Sequence, residues 1–130
     1  MKYNESTPQR PEGDRVLNAP VVSVNIPEYI QILKSESTWK ESDRNAITLY
    51  KTDKLQHVLV ALHPGATLPD HQVNNSLTVH VYEGEIDFTV DGRTIRLKAG
   101  SMICLYPKMV HAVSSLSESV ILLTVSGRRE

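Results

Sequence analysis

Residues 65–85 read GATLPDHQVNNSLTVHVYEGE. The first part, through Asp70, is dense in turn formers. The second part alternates: Leu77, Val79 and Val81 share one face, and Thr78, His80 and Tyr82 share the other. A turn-rich break therefore leads into a half-buried strand that stops at Gly84.

The chain on either side continues in strands. Downstream, EIDFTV, TIRLKA, SMICLY, HAVSSL and SVILLTV follow at short intervals. Between the first two, VDGR sets Asp91-Gly92 between apolar runs, a strong hairpin signal. Upstream lie AITLYK and LQHVLVALH, the latter apolar enough for a strand covered on both sides. Short strands with tight turns predict an all-β fold, a sandwich or small barrel of antiparallel strands.

The N-terminal third is different. PVVSVNI predicts a strand at about residues 20–26 from its β-branched content. PEYIQILKSES predicts a short helix, with Pro27 in the first turn and Ile30 and Leu33 on one face. STWKESDRN reads as a loop, in which Trp39 is expected to seal the core edge. Residues 1–14 are polar, with Pro8, Pro11 and Gly13, and read as a flexible tail. The division is then a tail over 1–14, a strand and short helix packed on the barrel over 15–44, and the barrel over 45–130.

Length and charge narrow the function. A chain of 130 residues fits one domain and buries a core without disulfides. A net charge of −1 gives no field that would draw nucleic acid. No run is long and apolar enough for a membrane span, and the N-terminus lacks the apolar core of a signal peptide. The single cysteine, Cys104, forms no internal disulfide, which favours a cytoplasmic protein. In SMICLYP it is expected to be buried and inert.

Two spacings resemble those of the cupins. The first cupin motif, G-x5-H-x-H-x3-E-x6-G, fits without a gap on Gly65, His71, Val73, Leu77 and Gly84. The second, G-x5-P-x-G-x2-H-x3-N, fits on Gly100, Tyr106, Lys108, His111 and Ser115. The resemblance covers residues 45–126 and implies a jelly-roll barrel. It also implies a homodimer, with PVVSVNI added to an edge of the partner or covering an edge of its own sheet. In cupins, two histidines and a glutamate of the first motif join one histidine of the second around a divalent metal such as iron, manganese, nickel or zinc. Here His71 and His111 stand at ligand positions, while Val73 and Leu77 replace a histidine and the glutamate. Tyr106 and Lys108 replace the proline and glycine of the second turn, so a different backbone shape is expected there.

Two imidazoles fall short of the three or more protein ligands a first-row metal usually takes. His80 is the candidate third ligand, although strand parity points it outward. His57 and His63 lie six apart and share a face, expected toward solvent or an interface. The function that accepts these losses is a pocket lined by His71, His111, Val73, Leu77 and Val79. It would hold a small, partly apolar organic ligand in a sensing or metabolic role. The alternative is a metal-dependent oxygenase or isomerase built on His71, His111 and His80, with open positions for substrate. Whether the chain is an enzyme stays open at this stage.

Overall fold

The computed structural model describes residues 16–126. The tail expected over 1–14 lies outside them. Among the described residues, two helices precede nine strands.

The first helix, α1 (Ile26–Ser35), starts where Asn25 adopts an extended conformation and its side chain accepts the Glu28 N–H at 2.9 Å. Pro27 sits in the first turn, where a missing N–H costs nothing. A second short helix, α2 (Ser37–Glu41), occupies part of the expected loop and delivers Trp39 into the core.

Residues 20–25 form no strand, which corrects the reading of PVVSVNI. Burial still alternates along them. Val22 and Val24 are half-buried, while Val21 is 84% exposed. The sequence pattern reported an extended, half-covered chain, and packing on a sheet face satisfies that pattern without a hydrogen-bonded neighbour.

The strands are β1 (Arg44–Lys51), β2 (Leu55–Leu62), β3 (Thr67–His71), β4 (Ser76–Glu83), β5 (Glu85–Val90), β6 (Arg93–Lys98), β7 (Met102–Leu105), β8 (His111–Ser115) and β9 (Ser119–Ser126). They form two sheets, ordered β1-β2-β9-β4-β7 and β3-β8-β5-β6. The ladders are antiparallel. The β5–β6 hairpin turns through Asp91 and Gly92 at φ 53° and 72°, as the DG signal requires. β3, inside what reads as a turn-rich break, tolerates Pro69 because it is an edge strand.

Two apolar clusters hold the molecule. The inner one lies between the sheets and includes Val60, Leu62, Leu77, Val79, Val81, Ile86, Phe88 and Ile121. The outer one packs Leu33 and Trp39 of the helices on Ile47, Leu49, Leu59, Ala61 and Val120. β2 and β9 serve both, which is why Leu59 through Leu62 are all buried. Each large side chain buried this way contributes about 1.5–3 kcal/mol before entropy is counted. Asn45 ties the layers: its buried amide donates to the Leu33 carbonyl at 2.9 Å and to Glu36 at 2.8 Å. Gly84 permits the tightest approach, since a Cβ there would collide with Glu118 and Ser119 at a φ of 82°.

Candidate functional site at the barrel mouth

The site is built where β3, β4 and β8 meet the loops at one end of the barrel. In the β3–β8 ladder His71 is the direct partner of His111, after a register shift that follows the Leu68–Val113 pair. Of His71 the backbone alone is described. On its other side β8 pairs with β5, and His111 stands opposite Val90.

His111 is a core histidine, 5% exposed. Its Nδ1–H donates to the Met109 carbonyl at 3.0 Å. A carbonyl only accepts, so this bond selects the tautomer and turns Nε2 into the acceptor nitrogen of the neutral ring. The imidazole stacks on Phe88, with centroids 5.4 Å apart and planes 8° from parallel. Together the carbonyl and the phenyl ring hold the imidazole in one orientation.

The inward row of β4 begins before the strand does. From Val73 to Val81, odd-numbered positions are half-buried or buried and even-numbered ones are more open. Leu77 and Val79 belong to the inner cluster at 3% and 1% exposure, and Val73 packs against it. Asn75 sits on the same row, 6% exposed. The sequence reading did not single out Asn75. The signal for it was the parity it shares with Leu77.

Two loops close this end. The Lys108 N–H donates to the Val73 carbonyl at 2.7 Å, joining the β7–β8 loop to the β3–β4 loop. Lys108 occupies the glycine position of the second motif and has φ 68°. Lysine there adopts the left-handed conformation that glycine adopts freely. Beside the mouth, between the β7 and β6 edges, lies a cavity of about 330 Å³. It is lined by Val90, Ile95, Ile103, Leu105 and Met109, with Asp91 and Arg93 among its polar residues. Val90 and Met109 are the direct neighbours of His111, so the cavity adjoins the histidine.

Other candidates fall elsewhere. His80 is on the outer face of β4, its ring 4.4 Å from that of Tyr82. Leu77, Val79 and Val81 occupy the opposite face. His80 is thus not gathered with the buried His111, because a strand sends adjacent residues to opposite faces. Ser115, four residues along β8 from His111, serves the turns at the far end: its N–H donates to Ala66, its carbonyl accepts from Gly65, and its hydroxyl donates to the Ser117 carbonyl. His63 donates to the Trp39 carbonyl at 2.8 Å and stacks on that indole at 3.5 Å, so both seal the outer cluster. His57 lies 2.9 Å from the Thr124 hydroxyl, and burial pushes its pKa below the ordinary 6.5. It lines a groove of about 470 Å³ between residues 20–26 and the outer sheet face. Cys104 is exposed, contrary to expectation, because β7 is an edge strand and alternate residues face out.

The donor set does not fit a cupin metal. Two of its four positions are the apolar Val73 and Leu77, packed with the inner cluster. Among the described residues no three His, Cys, Asp or Glu side chains converge. A cation there would be desolvated without a carboxylate to offset its charge.

Comparison with known proteins follows the same line. KdgF from Halomonas sp. superposes with a TM-score of 0.64 at 22% identity, over 68% of this chain and 82% of that one. An RmlC-like cupin from Shewanella frigidimarina gives 0.64 at 26% identity, over 68% and 79%. Salicylate 1,2-dioxygenase from Pseudoaminobacter salicylatoxidans gives 0.73 at 13% identity, over 87% of this chain and 35% of that one. At such identities the first and third likenesses speak for the fold alone. Comparison with curated proteins finds no match. The family model described as Cupin domain matches residues 58–126, more than half of the chain and the whole of both motif frames. With the jelly-roll arrangement of two antiparallel sheets, that match makes the chain a member of the cupin family.

Proposed function

We propose that the barrel mouth binds a small organic molecule in a sensing or metabolic role. The observation that carries this reading is the exchange at Val73 and Leu77. Side chains that would hold an ion are replaced by apolar ones packed with the inner cluster, while His111 stays buried in one fixed orientation. Apolar walls with a few oriented polar groups are the usual makeup of a small-molecule site. The cavity of about 330 Å³ beside this end is lined by other residues, among them Val90, Ile103, Leu105 and Met109, and is a neighbour of the proposed pocket. The pocket in this proposal comprises His71, His111, Val73, Leu77 and Val79. The metal-dependent alternative needs a donor set that these residues do not supply, and no step is derived through a metal.

A homodimer belongs to the same proposal. Val21 and Tyr106 are each 84% exposed, and an apolar partner surface would cover them. No described helix is long and apolar enough to cross a membrane.

The test is a fragment screen by NMR on tag-free protein. Binding fragments should shift the His111 ring and the Leu77 and Val79 methyl resonances. They should bind at least tenfold more weakly to His111→Ala and to the milder His111→Gln. Fragments that shift other regions only would refute the reading.

A further inference from the structure

One buried side-chain polar atom among the described residues has no hydrogen-bond partner: Nδ2 of Asn75. The side chain is 6% exposed, so water does not simply bathe it. Buried N–H groups in folded proteins are nearly always paired. A buried donor left unpaired opposes folding. Such a group is expected where a ligand or an ordered water completes the pairing.

Its position says which. Asn75 lies in the bend just before β4, two residues from Val73 and Leu77, and it is buried in step with Leu77 and Val79 of the inner cluster. The loop that holds it is bonded to the β7–β8 loop through Lys108 and Val73, and that second loop carries Met109, the anchor of the His111 ring. The orphan amide and the oriented imidazole belong to the same end of the barrel. Val73, Leu77, Leu105 and Met109, which belong to or pack on the inner cluster, come from the same end.

We propose that Asn75 is the specificity residue of this site, and that its Nδ2–H donates to a carbonyl or carboxylate oxygen on a ligand with an apolar body. The inference rests on the reading that the mouth binds an organic guest, and adds the ligand's chemical class. An amide donor in an apolar surround rejects a hydrocarbon of the same shape, because the donor then stays unpaired.

Matched probes test it: acetophenone, benzamide and benzoate against ethylbenzene, followed by titration of the Asn75 side-chain amide resonance. The expected result is a shift of that resonance with the oxygen-bearing probes, and an affinity for them at least tenfold above that for ethylbenzene. Acetophenone and benzoate separate a neutral carbonyl from a carboxylate. Asn75→Leu should erase the preference, retain ethylbenzene binding and raise the melting temperature of the free protein. Asn75→Asp keeps the shape and removes the donor, so it should also lose the preference if the leucine variant fails to fold. An unchanged preference in the folded variants would overturn the assignment of Asn75 while leaving the His111 pocket standing. Probes that shift neither Asn75 nor His111 would overturn both. An amide resonance indifferent to every probe that does bind would assign its partner as an internal water and overturn the proposal.

Discussion

His71 and His111 are direct partners across the β3–β8 ladder, although forty positions separate them in the chain. The ladder does not run smoothly to them. A register shift falls between Leu68 and His71, on an edge strand that contains Pro69. A bulged edge is a common device for re-aiming a side chain near a site. The two motif frames meet at this pair.

Lys108 gives the first prediction. A non-glycine residue at φ 68° costs about 1–2 kcal/mol. Its N–H is engaged with Val73, so the backbone has a reason to stay there. Lys108→Gly should stabilise the protein by about 1 kcal/mol, net of the chain entropy that glycine adds to the unfolded state. Urea unfolding measures this. A loss of stability would mean that the lysine side chain contributes more than its backbone strain costs.

Restoring the motif gives the second. Leu77→Glu places a carboxylate at a position 3% exposed and should destabilise by about 3 kcal/mol or more. Adding Val73→His completes the cupin donor set. Zinc at a hundredfold excess over its dissociation constant should then return about 2.7 kcal/mol. Thermal melts with and without zinc read both effects. No zinc response in the double variant would indicate that the mouth has lost the cupin ligand geometry along with the ligands.

The third concerns pH. Burial of His57 lowers its pKa from the ordinary 6.5, so the folded state prefers the neutral ring. The unfolded chain binds the proton more readily. The contribution of His57 is therefore complete above about pH 6.5 and is lost as pH falls toward the folded-state value. In His57→Gln the decline in stability between pH 7.5 and 5 should be shallower than in the wild type. Parallel urea titrations of the two proteins check this, and equal slopes would contradict it.

Much of the architecture could be read before any coordinates. VDGR specified its turn because only left-handed residues close a two-residue hairpin with the right twist, and Asp91 and Gly92 adopt that conformation. LQHVLVALH announced burial on both sides because β2 lies between the two apolar clusters. The parity of β4 placed Leu77 and His80 on opposite faces.

What escaped depended on neighbours distant in the chain. PVVSVNI has strand composition, yet pairing depends on an available edge, which composition does not encode. Cys104 reads as core in SMICLYP, and only the place of β7 at a sheet edge exposes it. Asn75 drew no notice in the sequence, because an asparagine beside turn formers has an ordinary explanation. It is nonetheless 6% exposed, in a loop bonded to the β7–β8 loop through Val73 and Lys108.

The central claim is that this barrel has exchanged an ion for an organic guest. Elemental analysis of tag-free protein tests it most directly, after incubation with iron(II), nickel or zinc and exhaustive dialysis. The expected result is well under one ion per chain, unchanged in His71→Ala and His111→Ala. A full equivalent of metal in the wild type, lost in both variants, would contradict the claim.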